Sequence, residues 1–454
     1  MHQTRKLSIK TVIALSTLLS STSLFAVNGA FDFGFSEITR GMAGAGSALP
    51  QDTLIAAINP AGMVDVGKRL DLGAAFYFPT MSYNASSFNP SSVSVLGVAP
   101  GQHDSTVNIF VLPDFGMNFP LNDKSAVGVS LYSLGGYGTQ YKSSNSATVA
   151  VPVPGIGTIP VSAPGPLGGG TLLSDLKQSV TSVTYSHKFL SNSSWGVSLL
   201  LGLQSLRAEG ASGLGALSTS PNNVSNKGAD YSYGGGARFG FLFGVLPLVD
   251  LSLSYQPKMI MSKFKQYSGL LPNGGEFDIP SYGNIGAAWH VSNTVTLLGD
   301  IEEIWFKDIP AYGRSNAALL PGGSCMPGTA GPTCLGGASG AGFGWGNDTV
   351  YKLGAQWAVT EKTTLRAGFN HSDQILSSTQ ATENMITPGA LIQNLFTVGI
   401  TQKVTKKDSI NGMVVFIPKQ TFTSGNLFSG AANQTVTLAA RGFGFGVSWG
   451  RVLD

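Results

Sequence analysis

The stretch GFGFGVSW, Gly442 to Trp449, alternates without a break: Phe443, Phe445, Val447 and Trp449 fall on one face, and Gly442, Gly444, Gly446 and Ser448 on the other. A side-chain period of two belongs to a β-strand. The same period runs through TVTLLGDIEEIWF, where Val295, Leu297, Ile301 and Trp305 share a face and leave Asp300 and Glu302 on the other. On the next two segments Tyr351, Leu353 and Trp357 oppose Lys352 and Gln356, and Leu365 and Phe369 oppose Arg366 and Asn370. Charges of both signs thus share the side away from the aromatics. Such strands suit a closed barrel in lipid, with apolar side chains outward and polar ones in the lumen, because a barrel pairs every backbone N–H and C=O without leaving an edge. Glu303 breaks the alternation, which places its strand end above the bilayer.

Composition agrees. Charged residues are 11% of the chain, against roughly 25% in soluble domains, and there are 60 glycines, 25 Phe and 13 Tyr. Past residue 26 no apolar run approaches the roughly 20 residues of a spanning helix. The start of the chain reads as a secretory signal peptide, 1–26: Arg5, Lys6 and Lys10 precede VIALSTLL and the small-residue exit SLFA, with cleavage after Ala26 or, second, after Ala30. Its removal leaves equal numbers of basic and acidic residues, so no basic surface points to nucleic acid. In an exported chain Cys325 and Cys334, inside LLPGGSCMPGTAGPTCLGG, are expected to close a disulfide. No His or further Cys accompanies them, so no metal site is expected.

Turn chemistry sets the strand count. Short turns fall at LNDK (121–124), SNSS (191–194), VLPL (245–248), SNT (292–294), TEK (360–362) and TKKD (405–408). Longer polar or Gly/Ser-rich connections fall at 84–103, 141–173, 213–227, 268–275, 309–346, 374–391 and 423–433. Six turns alternating with seven loops divide the chain into fourteen strands. The fold class expected is therefore all-β, a fourteen-stranded antiparallel transmembrane β-barrel spanning 69–450, followed by a short extension, 451–454. An even count puts both barrel ends at the periplasmic side. The Gly/Ala-rich segment 27–68 is too short for a domain and too apolar to stay dissolved, so it is expected inside the barrel as a plug with short helices. Within it TLIAAINPAGM is an apolar helix that must stop near Asn59, because Pro60 disfavours the α conformation before it.

These residues resemble the FadL/TodX family of outer-membrane transporters for long-chain fatty acids and other hydrophobic compounds. The resemblance starts at GAFDFGFSEITRGMAGAGSAL (29–49), continues to the plug motif NPA at Asn59, Pro60 and Ala61, and takes in VLPDFGMNFPL (111–121). Further matches are IPSYGNIGAAWHVSNTVTLLGDIEEIWF (279–306), VYKLGAQWAVTEKTTLRAGFNHS (350–372) and FTVGITQKVTKKDSINGMVV (396–415). It implies a fourteen-stranded barrel closed by an N-terminal hatch, gating by the plug, and lateral release through a kink in the third strand. Here that strand is SAVGVSLYSLGGYGTQY, interrupted by Gly135, Gly136 and Gly138. The chain departs from the family in ending GRVLD instead of on an aromatic residue.

The function expected is passive uptake of a hydrophobic small molecule by a monomer, placed in outer-membrane lipid by the barrel assembly machinery, with no cofactor. Asn59, Pro60 and Ala61 are expected to fold or gate the plug. Phe31, Phe33 and Phe35 are expected along one face of an extended segment, anchored with Met42 to the wall. Lys352 and Arg366 are candidate lumen cations, with Asp300 and Glu302 their neutralising partners. The alternative is an adhesin-like or structural barrel with a sealed lumen. Catalysis is not expected: none of His2, His103, His187, His290 and His371 stands at a spacing that marks a nucleophile or carboxylate partner.

Overall fold

The computed structural model describes residues 27–87, 96–320, 322–377, 380–426, 428 and 434–454; the expected signal peptide lies outside the described residues. Fourteen antiparallel strands form a closed ring. They are β1 (Arg69–Ala85), β2 (Phe110–Asn122), β3 (Ser125–Tyr141), β4 (Leu172–Leu190), β5 (Ser193–Glu209), β6 (Asp230–Leu246) and β7 (Val249–Gln256). The ring continues with β8 (Tyr282–His290), β9 (Val295–Ile304), β10 (Asp348–Ala358), β11 (Thr363–Ser372), β12 (Asn394–Lys403), β13 (Asp408–Gly425) and β14 (Thr435–Val452). Each strand pairs with its neighbour in sequence, and β14 returns to β1 from Arg69↔Val452 to Ala85↔Val436. The six expected turns form one end and the seven loops the other. Among the described residues no helix is long and apolar enough to cross a membrane.

The inside-out polarity read from the sequence holds strand by strand. Leu297, Ile301, Tyr351, Leu353, Trp357, Phe443 and Val447 face outward, while Asp300, Glu302, Lys352, Arg366 and Asn370 are buried in the interior. Stacked pairs Phe76–Phe445 and Phe78–Phe443 run across the β1–β14 seam on the outer face. Glu303 points outward at the loop end of β9, where the Thr349 hydroxyl donates to it at 2.8 Å.

One boundary differs from expectation. Arg451 and Val452 are not an extension but the end of β14, because β1 starts far enough back to offer Arg69 and Leu70 as partners. The Leu453 N–H then donates to the Lys68 carbonyl at 2.8 Å. The ammonium groups of Lys68 and Lys407 both meet Asp454. The polar tail clasps the point where plug becomes barrel, a position an aromatic end would not serve in this way.

The outward face sets a test. Leu353 is 61% exposed at the centre of β10. Leu353→Arg is expected to cost about 2–4 kcal/mol of barrel stability, the penalty of a cation at mid-bilayer. Urea titration of barrel folding in lipid vesicles reads it, and an unchanged midpoint would contradict a lipid-facing Leu353.

Candidate functional site

Residues 27–68 fill the lower lumen, and their packing begins with helices that cannot satisfy their own carbonyls. A four-residue helix, Glu37–Arg40, is held by a capping box between Ser36 and Thr39. Two 3₁₀ turns follow, Thr53–Ala57 capped by Asp52 and Pro60–Asp65 capped by Asn59, so the apolar TLIAA segment stops where Pro60 requires. Wall side chains take up the orphaned carbonyls. Ser130 donates to Thr53 O at 2.7 Å, Arg238 to Ala56 O at 3.1 Å, Ser194 to Ala61 O at 3.0 Å, and Asn118 to Met63 O and Gly67 O at 2.9 and 2.8 Å. The Asn59 side chain does two jobs: its oxygen accepts from Ala61 N–H at 3.1 Å, and its amide donates to Phe241 O on β6 at 3.0 Å. Asn59, Pro60 and Ala61 thus bolt the plug to β5 and β6.

Of the lumen charges only Lys352 and Glu302 form the expected ion pair, within the wall; Asp300 and Arg366 reach plug residues instead. Asp300 accepts from the N–H groups of Gly46 and Ser47 and from the Ser47 hydroxyl. Lys352 pairs with Glu302 at 3.0 Å, both buried. Arg366 donates to Gln356, Thr401 and the plug's Gln51 at 3.0, 2.6 and 2.9 Å. Neither cation is left to hold a carboxylate ligand.

Phe31, Phe33 and Phe35 do not share one face. The chain turns at Gly29 and Ala30 and bends again at Phe33 and Phe35, so Phe31 meets Tyr282 and Phe306, Phe35 meets Tyr132, and Phe33 turns the other way onto Tyr77. Met42 packs with Ala288 and Leu298 of the wall. Beyond Phe31 a chain of rings, Phe306, Tyr312, Trp345, Phe343 and Tyr137, climbs toward the loops. At its top lies an apolar chamber of about 120 Å³ whose lining includes Leu173, Leu214, Leu271, Leu319, Phe343 and Ile386. Cys325 and Cys334 are joined in a disulfide, packed beside Leu319 and Leu335 on the chamber's outer side.

Below the loops the wall is interrupted. The ladder between β2 and β3 ends at Asp114↔Tyr132, next to Pro113, which has no N–H to give. Beyond it the Ser133 hydroxyl reaches Pro113 O at 3.4 Å, and among the described residues the backbone bond across this seam further up is from Thr106 N–H to Gln140 O at 2.8 Å. Between them β3 bulges from Ser133 to Gly135 against β4. Gly135 and Gly136 have φ of +143° and +149°, which a side chain would strain. A Cβ on Gly135 would strike Ala30 O and come within 2.9 Å of Asp32 N. Gly138 is already back in regular pairing opposite Asp175, so the kink is confined to Gly135 and Gly136. Plug backbone fills the break: Asp32 N–H donates to Leu134 O at 2.8 Å.

Beside this break the interior holds one guanidinium among three carboxylates. Arg40 Nε donates to Asp32 at 3.1 Å, and Nη1 donates to Glu37 at 2.9 Å and to Asp114 at 3.0 Å, all of them buried. The Tyr77 hydroxyl adds a bond to Asp32 at 3.3 Å. The cluster ties the plug's first turn to β2 at the residue where the β2–β3 ladder ends. Removing one partner of such a buried group costs roughly 3–5 kcal/mol. Burial pushes the Asp32 carboxyl up to about 6 against the pull of Arg40. Burial, helped by the Asp71 carboxylate, likewise takes Asp52 to about 6. Sequence reading passed over this cluster, although charges inside the apolar run FDFGFSEITRGMAGAG were its signal.

Two histidine contacts also escaped the spacing argument, because they cross strands. His187 Nδ1 lies 2.9 Å from Ser125 Oγ, and His290 bridges Asp250 at 2.9 Å and Thr296 at 3.3 Å. Ser125↔His187 and His290↔Thr296 are register pairs of their ladders, so strand pairing accounts for them. Among the described residues no group of three or more His, Cys, Asp or Glu side chains is placed to hold a metal ion.

No family model matches the chain, and no curated protein matches it in sequence. Solved structures do match. The toluene transporter TodX of P. putida covers 93% of this chain and 99% of its own at 17% identity, with a TM-score of 0.63. A FadL homologue of Pseudomonas aeruginosa covers 96% and 100% at 14% identity, TM-score 0.62. The toluene transporter TbuX of Ralstonia pickettii covers 93% and 99% at 14% identity, TM-score 0.58. At these identities what is shared is the fold, plug and barrel together.

The two raised carboxyls give the plug a pH dependence. Docked, Asp32 and Asp52 hold protons that the free segment releases between the ordinary 3.8 and about 6. Docking therefore loses free energy as pH rises through that window and levels off above it. Hydrogen exchange corrected for intrinsic rates is expected to show plug protection falling about tenfold or more from pH 4 to pH 7 while β5 holds; equal plug protection at both would refute the assignment.

Proposed function

We propose that this chain is a passive bacterial outer-membrane channel for small hydrophobic molecules. Cargo enters the apolar chamber under the loops and leaves sideways through the break between β2 and β3. The observation that carries the reading is the alignment of three features: an apolar chamber at the loop end, a chain of aromatic rings beside it, and a lapse in the wall ladder into which plug backbone reaches. The structures that share the fold, described as toluene transporters and a FadL homologue, agree with this reading.

Size narrows the cargo. A dry apolar cavity of about 150 Å³ takes up benzene, so a chamber of about 120 Å³ suits one ring or a short chain. A long acyl chain gains roughly 0.8 kcal/mol per CH₂ buried but needs the chamber to widen. Monoaromatic-sized compounds are thus preferred over long-chain fatty acids as the first substrates to try.

The moving part is the segment Val27–Phe35, not the whole hatch. Withdrawing Ala30–Asp32 from the kink breaks the bond to Leu134 and loosens the Arg40 cluster. Shifting the 3₁₀ turns would break the bonds from Ser130, Arg238, Ser194 and Asn118, and shifting the segment before them would strip Asp300 of its donors Gly46 and Ser47. Asn59, Pro60 and Ala61 belong to the fixed half.

Two experiments test this. Gly135→Val, which drives a side chain into Ala30–Asp32, is expected to cut uptake of labelled toluene by reconstituted vesicles severalfold while the folded barrel still assembles; undiminished uptake would remove the case for exit there, and no uptake by the wild-type chain would favour a sealed barrel. A tether between Ala45→Cys and Gly354→Cys, whose Cβ positions lie 3.1 Å apart, somewhat under the 3.5–4.5 Å of a disulfide, is expected to leave flux within about twofold when oxidised. A reversible block would show that the whole plug has to move.

A further inference from the structure

Gln178 of β4 stands opposite Gly135 at the kink on one side and opposite Gln204 of β5 on the other. Both amides point inward, in the rows Leu176, Gln178, Val180 and Gln204, Leu206, and both residues are fully buried. All four of their side-chain amide atoms lack a hydrogen-bond partner. The loop after β9 brings in Tyr312, whose buried hydroxyl stands within loose reach of the Gln178 amide without a hydrogen bond of full geometry between them. Around them Leu176, Leu206, Tyr137 and Tyr312 belong to the apolar cluster that leads up to the chamber.

For stability alone this arrangement is poor. A buried amide without a partner carries its full desolvation penalty, and apolar groups of the same shape are neutral or better. Nor is the row electrostatic. The charged residues near it on these strands, Asp175, Lys177, Arg207 and Glu209, alternate to the other face, where Lys177 pairs with Asp175 and Arg207 with Glu209. The inward cation on β6, Arg238, donates to Ala56 O, the Tyr132 hydroxyl and Gln256 from its Nη atoms, while its Nε is unpartnered; it lies against Tyr132 and Tyr282, below the glutamine row.

We propose that Gln178 and Gln204, with the Tyr312 hydroxyl, form a polar subsite for one neutral hydrogen-bonding group on an otherwise apolar ligand. Each amide offers a donor and an acceptor, so the group is a hydroxyl, a carbonyl, an amide or an un-ionised carboxylic acid. An ionised carboxylate finds no counter-charge in the row formed by Gln178, Gln204 and Tyr312 and is disfavoured there. The subsite adjoins the bulge, so cargo passing from chamber to gap presents its polar end to it. Sites that hydrogen-bond a ligand group discriminate against the analogue lacking it, because their own groups are then left unpaired.

This inference rests on the transport reading, and the test separates the two. Equilibrium binding of radiolabelled toluene and benzyl alcohol, which differ by one hydroxyl, is measured on the full chain in lipid nanodiscs. The wild-type protein is expected to prefer benzyl alcohol beyond what partitioning into empty nanodiscs explains. Gln178→Met/Gln204→Met, near-isosteric and relieved of unpaired groups, is expected to fold and to lose about tenfold in benzyl alcohol affinity with toluene binding unchanged. Gln178→Met alone gives an intermediate loss. A wild-type protein that binds toluene without preference for the alcohol overturns the subsite and leaves the channel standing. So does an equal loss for both ligands, or no loss, which would mark the amides as structural or merely hydrated. Binding of neither ligand overturns both proposals.

Discussion

In hydrocarbon an unpaired backbone group has no water to turn to, so the ring must close, and everything else in this molecule follows from where that closure is complete and where it is not. Among the described residues the ladders lapse toward the loop end at three junctions, beyond Tyr77↔Phe110, beyond Phe239↔Tyr255 and beyond Asp114↔Tyr132, and only the last of these carries a glycine bulge with plug backbone bonded to it. Pro113 withdraws a donor from one side, and the bulge at Gly135 tilts β3 away on the other. The break is tolerable only because a piece of plug backbone lies in it, with Asp32 N–H on Leu134 O. Wall and plug are therefore not separate parts: the wall is finished by the plug.

The same dependence explains the buried charges. Desolvating Arg40 with three carboxylates is expensive in any isolated segment, yet it fixes the first turn of the plug against β2 at the edge of the break. The 3₁₀ turns further on are held differently, by single donors reaching their carbonyls from β2, β3, β5 and β6, three of them neutral and one the Arg238 guanidinium. One half of the plug is anchored by a cluster of charges, the other mainly by single bonds from the wall, with the Asp52 cap as its titrating group.

Much of the architecture was legible because barrel physics leaves local marks. The period of two placed Leu353 and Phe443 outside and Asp300 and Lys352 inside, and turn chemistry counted the strands, down to β3 as Ser125–Tyr141. Pro60 fixed the end of the TLIAA turn, since its constraint acts on the adjacent residue. What was not legible is made of contacts between distant strands. Gln178 and Gln204 are ordinary polar residues until register sets them side by side next to Gly135. Arg40 meets Asp114 across 74 positions, and the alternation of Phe31, Phe33 and Phe35 pointed to an extended segment because the bends at Phe33 and Phe35 lie in the backbone, not in the hydrophobic pattern. The C-terminal residues looked like an appendix until β1 supplied their partners.

The break in the wall opens toward lipid, while the mouth below it is packed with bolted turns. On the proposed route cargo would be sorted by the phase it prefers more than by its width. A hydrated ion reaching Gly135 would have to shed its water into hydrocarbon, at an idealised cost of order 20 kcal/mol, whereas a ring bearing a single hydroxyl sheds little. Such a doorway can stand ajar without short-circuiting the membrane, since its threshold is solubility itself.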